Sequence, residues 1–105
     1  MKILFLGDVV GLSGCRKITN DLLSQIKKKD IDFVIINGEN ADDTGVGLTK
    51  EICQNFFNNG VDVITTGNHV WDQKDIMNFI DKENRLLRPK NLFEPAPGRG
   101  FEIYK

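Results

Sequence analysis

Three short runs of apolar, largely β-branched residues alternate with longer segments of helical period, and this alternation constrains the fold more than any other feature. Residues 2–7 read as a first strand, with an unbroken apolar run after Lys2 that ends in Gly7, which suits burial on both faces. Residues 14–29 carry Ile18, Leu22, Leu23 and Ile26 on one helical stripe. Residues 32–36 read as a second strand, followed by a polar, glycine-rich loop over 37–47. A second helix over 49–59 turns Ile52, Cys53, Phe56 and Phe57 inward and stops at Asn58-Asn59-Gly60. Residues 61–65 form a third strand and Gly67 to Trp71 its loop. Asp72 is the predicted N-cap of a third helix reaching residue 81 and burying Ile76, Phe79 and Ile80. Such a β-α-β-α-β-α series implies a parallel α/β sheet with right-handed crossovers. The segment from Leu86 to Gly98 holds all three prolines and no helical period, so it reads as an ordered connector before a further strand over 101–104.

At 105 residues the chain is one small domain or part of a larger one. A net charge of −1 offers no electrostatic case for binding duplex nucleic acid or a membrane surface. The run Lys27-Lys28-Lys29 is read as the solvated end of a helix, where cations suit the dipole. No apolar stretch approaches the roughly 20 residues a membrane span needs. The first six residues resemble the start of a signal peptide, but Asp8 interrupts them, and a cytoplasmic location follows by default. Cys15 and Cys53 show neither metal-ligand spacing nor a disulfide framework. Cys53 is expected to be a buried thiol, and Cys15 structural filler beside the candidate site.

The chemistry is concentrated where the strands end. Gly7-Asp8-Val9-Val10-Gly11, Asn37-Gly38-Glu39-Asn40 and Gly67-Asn68-His69 each follow an apolar run. Parallel sheets bind ligands in the crevice outside the carboxyl ends of their strands, so three such tips can build one site. Asp8 and Glu39 are carboxylates, with Asp42 and Asp43 nearby in sequence. Bringing such charges together in a partly dry site is costly unless cations neutralise them. Asn40 and Asn68 add amide oxygens and His69, the single histidine, adds imidazole. That mixture suits Mn, Fe or Zn better than a thiolate site does. Two ions about 3.5–4 Å apart, bridged by a carboxylate, clamp a phosphoryl group and activate water for in-line attack. Asn68 is then available as a ligand while His69 stays free, as a general acid or as a positive contact to phosphate oxygen. Each tip taken singly also has an ordinary structural explanation, since Asp caps helices and Asn-Gly forms turns. Their joint occurrence, in order and each at a strand end, favours the site.

The segments GDVVG, INGENA, TTGNHVWD and LLRPKN, with PGRG near the end, closely resemble the YmdB family. Its members are bacterial metallophosphoesterases of the calcineurin-like superfamily that act as 2′,3′-cyclic-nucleotide 2′-phosphodiesterases. The resemblance spans essentially the whole chain. NGEN and GNHxWD in this order and spacing are highly specific, whereas GDVVG alone is weak. It implies the first half of an α/β/β/α sandwich and a dinuclear centre of two divalent ions, with iron or manganese as the metals. By position, Asp8 would bind one ion, Glu39 would bridge, and Asn40 and Asn68 would complete part of the coordination. His69 would match the superfamily histidine that stabilises or protonates the leaving oxygen. Val10 stands where many superfamily members have a metal-binding histidine, which the narrower YmdB-like pattern also lacks. The role of Cys15 stays open.

Relatives continue well beyond this length and draw further histidine ligands from later loops, whereas no histidine follows His69 here. Residues 1–105 therefore read as a single partial domain, the N-terminal part of the enzyme: a truncated product, a split gene or a proteolytic fragment. Two expectations follow. The metal centre should be incomplete in this chain. An uncovered apolar sheet face should favour a homo-oligomer, aggregation or a C-terminal partner fragment. The leading function is hydrolysis of a small phosphodiester or cyclic nucleotide. Its rival is a non-catalytic remnant or regulatory binding module that keeps the fold. A nucleotide-binding Rossmann-like domain is disfavoured, because Gly7 to Gly14 lacks the G-x-G-x-x-G spacing.

Overall fold

The computed structural model describes residues 1–93 and 95–105. Four parallel strands, β1 (Ile3–Leu6), β2 (Phe33–Asn37), β3 (Val63–Thr65) and β4 (Leu86–Leu87), form one sheet in the order β1-β2-β3-β4. Helix α1 (Gly11–Lys29) joins β1 to β2, and α2 (Lys50–Asn58) joins β2 to β3. Lys27, Lys28 and Lys29 occupy the last turn of α1, beside its carbonyl end. Thr49 caps α2, its hydroxyl accepting from the Ile52 N–H at 3.3 Å.

Sequential strand order has a consequence for layering. Parallel crossovers are right-handed, so strands laid down in one direction receive all their connections on one face. The core accordingly lies on that face. Leu4, Leu6, Val34, Ile36, Ile64 and Leu86 pack with Ile18 and Leu22 of α1 and Cys53 and Phe56 of α2. The helices touch through Asn55 Nδ2, which donates to Thr19 Oγ1 at 3.1 Å. On the opposite face Ile3 and Phe5 of the edge strand β1 are more than half exposed. The reading of β1 as buried on both faces is thus corrected. An all-apolar strand fits double burial, but the one-sided winding leaves its odd residues uncovered. Leu23, placed on the buried stripe of α1, is likewise more than half exposed.

Two further expectations are overturned. Residues 72–81 form no α-helix, but a 3₁₀ turn over Lys74–Asn78 and another over Ile80–Lys82. Ile76, Phe79 and Ile80 are buried as expected, because their spacing suits a three-residue turn nearly as well. Asp72 does not cap this segment: its carboxylate is bonded to His69, and Gln73 takes the extended flanking position. Asn, Asp and Ile are also weak helix formers. Residues 101–104 form no strand. Pairing ends with the bridge from Leu87 to Arg99 and the Arg88 N–H donating to the Arg99 carbonyl at 2.9 Å. The tail then crosses the amino ends of the strands. Tyr104 donates to the Asn84 carbonyl at 2.5 Å and lies 5.9 Å, centroid to centroid, from the ring of Phe33.

Most of the proline-rich segment is an ordered connector, as expected, and it begins with the two residues of β4; Glu94 lies outside the described residues. Arg88 is buried beneath it, donating from Nε to the Pro97 carbonyl and from an Nη to the Pro89 carbonyl, both at 3.0 Å. Among the described residues no helix is long and apolar enough to cross a membrane.

Candidate metal and phosphate site

The three strand tips meet at the carboxyl edge of the sheet, and backbone hydrogen bonds knit them together. The Val9 N–H donates to the Asn37 carbonyl at 3.1 Å and the Gly11 N–H to the Asn40 carbonyl at 2.9 Å, joining the first tip to the second. The Gly38 N–H donates to the Thr65 carbonyl at 3.0 Å, joining the second to the third. The fold has therefore already met the ordering cost of bringing these loops together.

Side chains continue the link. Asn40 Nδ2 donates to both carboxylate oxygens of Asp8, at 2.9 and 3.2 Å. Glu39 Oε2 accepts from the backbone N–H of His69 at 3.2 Å. Gly67 lies against it, and a Cβ there would stand 2.2 Å from Glu39 Oε1, so a larger residue would displace the carboxylate. His69 Nδ1 is 2.7 Å from Asp72 Oδ2. Asp8 and Glu39 are thus each tied to a neighbouring tip. Asn68 is exposed, and its side chain makes no hydrogen bond among the described residues.

Two atoms test whether a hard divalent ion suits these residues. Asn40 Oδ1 and Asn37 Oδ1 are buried without a hydrogen-bond partner. An orphaned buried acceptor costs about 1–3 kcal/mol. Because Asn40 spends its amide N–H groups on Asp8, its oxygen is left as a neutral donor beside a carboxylate, which is the chemistry Mn, Mg or Fe accepts. The fit is partial. Among the described residues no three His, Cys, Asp or Glu side chains gather closely enough to hold a metal ion. Asp42 is committed elsewhere: its Oδ2 accepts from the Thr44 N–H and hydroxyl and from Gln73 Nε2.

Cys15 stays outside this chemistry. Its thiol donates to the Ala41 carbonyl at 3.2 Å, and burial, followed by the charges of Asp43 and Asp42, pushes its pKa up. Cys53 is fully buried with its thiol pKa raised, first by burial. Neither is a ready thiolate. A cavity of about 660 Å³ lies between the helices against Leu12, Cys15, Asp43, Glu51 and Asn55, and none of the tip residues lines it. The tips form an open shelf instead, with Asp8 and Asn68 exposed.

Sequence reasoning missed Asp72 and Gln73 as parts of the site. The His-x-x-Asp spacing was visible, but it was explained as a helix cap. Gln73 Nε2 braces the preceding loop through Asp42 Oδ2, Thr44 Oγ1 and the Val46 carbonyl, at 3.1, 3.3 and 3.2 Å. No local pattern announces that long-range contact.

Known proteins share this arrangement of sequence and fold. A 2′,3′-cyclic-nucleotide 2′-phosphodiesterase of Bacillus subtilis (strain 168) is 46% identical over 106 residues, covering 100% of this chain and 39% of that protein. A crystal structure of a hypothetical protein from Thermus thermophilus superposes with a TM-score of 0.91 at 35% identity, covering 100% of this chain and 40% of the other. Another, described as a novel phosphatase from Mycoplasma pneumoniae, gives 0.87 at 37% identity, covering 99% and 39%. The chain spans about two-fifths of the length of these relatives. The model of the YmdB-like protein family matches residues 4–105, so the chain that builds this three-tipped shelf belongs to that family.

Proposed function

We propose that this chain supplies one flank of a metal-dependent phosphodiesterase centre whose substrates are 2′,3′-cyclic nucleotides. The single observation that carries the reading is the Asp8–Asn40 pair beside Glu39, with the Asn40 amide oxygen buried and unpartnered at the carboxyl edge of the sheet. The B. subtilis relative's activity supports the substrate class. Asp8, Glu39, Asn40 and Asn68 would hold divalent iron or manganese, with Glu39 as the bridge. Such an ion pair, when bound, lowers the pKa of water and neutralises phosphoryl charge. The chain's own residues prepare the site: Asn40 orients Asp8, the His69 N–H fixes Glu39, and the imidazole of His69 would serve the leaving oxygen as a proton donor or positive contact.

The test is hydrolysis of 2′,3′-cyclic AMP with added Mn²⁺, by this chain alone and by a protein of the relatives' full length bearing it. In the latter, Asp8→Asn and His69→Ala should each lower kcat by about 10²-fold or more. Full activity in both variants would overturn the reading.

A second reading, a binding module that retains the fold without turnover, is favoured by the lack of any three acidic or histidine ligands gathered among the described residues. Calorimetric binding of the cyclic nucleotide with no turnover in the longer protein would select it.

A further inference from the structure

Strand β4 ends at the same carboxyl edge as the three tips. Thr65 pairs in register with Leu87, and the Thr66 hydroxyl donates to the Leu87 carbonyl at 2.6 Å, so the end of β4 is pinned to the third tip. Neighbouring strands lie about 4.8 Å apart, which puts that end roughly one strand spacing from the third tip and two from the second. The first three tips and their loops carry Asp8, Glu39, Asp42 and Asp72, whereas the residues after β4 bring Arg88 and Lys90. Arg88 is buried and donates to the Pro89 and Pro97 carbonyls. Lys90 is exposed, and its ammonium makes no hydrogen bond or ion pair among the described residues.

An aromatic ring lies beside that ammonium. Lys90 Nζ is 5.3 Å from the ring centroid of Phe101, a residue that is 67% exposed. A cation within about 6 Å of a ring face is attracted by its quadrupole. The backbone fixes the pair. The Arg88 N–H donates to the Arg99 carbonyl at 2.9 Å, and Gly100 lies so close to Lys90 that a Cβ there would stand 2.6 Å from Lys90 Cα. Beyond Phe101, the Tyr104 hydroxyl is bonded to the Asn84 carbonyl. Phe101 is therefore anchored on both sides in sequence while much of its ring stays in solvent. Such a ring is a preformed stacking surface, because little ordering entropy remains to be met when a flat ligand binds.

We propose that Lys90 and Phe101 form a nucleoside subsite of the shelf. The base stacks on the free face of Phe101, and the Lys90 ammonium offsets the acidity of the shelf toward an anionic nucleotide. The placement suits the ligand: one ribose separates a base from its 2′,3′-phosphate, and the end of β4 stands beside the tips that would hold that phosphate. The substrate rests on the function proposed above, whereas stacking requires no turnover.

The deciding measurement compares two substrates in a protein of the relatives' full length bearing this chain, with added Mn²⁺. One is 2′,3′-cyclic AMP and the other glycerol 1,2-cyclic phosphate, which has no base. Phe101→Ala should lower the ratio of kcat/KM for the first over the second by about 5–100-fold, mostly through KM, and Phe101→Trp should keep it. Lys90→Ala should raise KM for both anions by about 2–5-fold, and Lys90→Arg should restore it. An unchanged ratio in Phe101→Ala, or a loss in Phe93→Ala instead, overturns the proposal. Proton NMR of 3′-AMP with this chain alone separates the subsite from the reaction. The base protons should shift upfield through the ring current of Phe101, and Phe101→Ala should abolish the shift. No shift with wild type at millimolar nucleotide overturns the proposal. The shift in a protein without turnover supports the subsite and fails only the function. Turnover with an unchanged ratio fails the subsite alone.

Discussion

On the helix side of the sheet, Ile36, Ile64 and Phe56 are completely buried; on the other side, Ile3 and Phe5 of the edge strand are 57% and 59% exposed. The two sides carry similarly apolar side chains on the same strands, so hydrophobicity does not distinguish them. Strand order does, because three consecutive connections of one hand can cover only one face. The same apolar side chain should therefore have a very different worth on each side. Phe56→Ala should cost about 3–5 kcal/mol in denaturant unfolding, and Phe5→Ala under about 1 kcal/mol. Equal losses would mean that the uncovered face is buried in solution.

The next test asks what the uncovered face does. Ile3 and Phe5 lie side by side on one face of an edge strand, a combination that invites association. The double variant Ile3→Lys, Phe5→Lys should remove concentration-dependent association in light scattering while shifting unfolding by no more than about 1 kcal/mol. Association unchanged by the two lysines would move the sticky surface elsewhere, with Phe93, Phe101 and Ile103 among the other exposed apolar residues.

Much of this fold was legible in the sequence. The first two βα periods and the third strand follow from apolar spacing, and α1, α2 and β1 to β3 fall within a few residues of their expected ends. Local pattern could not supply the layering, because Phe5 looks the same whether or not a second layer covers it. The segment after Thr65 was read least well, since it is held by distant contacts. Arg88 reaches the Pro97 carbonyl, Gly98 N–H reaches Asp81, and Tyr104 reaches Asn84. At the site, the three tips were legible as a set because strand order brings their ends together. The neighbours that contact them were not: Asp72 has an equally good local role as a cap, and Gln73 has no local role at all.

The two sides also differ in their response to pH. On the helix side, Arg85 lies 3.8 Å above the Phe57 ring and is held by Glu83 through hydrogen bonds of 3.0 and 3.2 Å. Burial would raise the Glu83 pKa, but the hydrogen bonds from the Arg85 side chain and backbone outweigh it, and the pKa is lowered from its ordinary 4.5. A carboxyl whose pKa is depressed by folding stabilises the protein above that ordinary value, and the contribution is lost as pH falls through the lowered one. Glu83→Gln should cost about 1 kcal/mol or less at neutral pH and flatten the acid limb of a stability profile below about pH 4.5.

A comparably small effect belongs to the tail at the open side. Tyr104 has its pKa raised above the ordinary 10.0, first by burial and then by the charge of Glu102. A phenol whose pKa folding raises contributes stability that is complete below pH 10.0 and is lost as pH climbs through the raised value. Tyr104→Phe keeps the ring beside Phe33 but removes the hydroxyl that donates to Asn84. It should cost about 0.5–1.5 kcal/mol at neutral pH. Above pH 10 the difference should shrink, because the phenol ionises more readily in the unfolded chain than in the folded one while phenylalanine has nothing to titrate. A constant difference across that range would mean that folding does not raise the Tyr104 pKa, and that the phenol is as easily ionised in the folded chain as in the unfolded one.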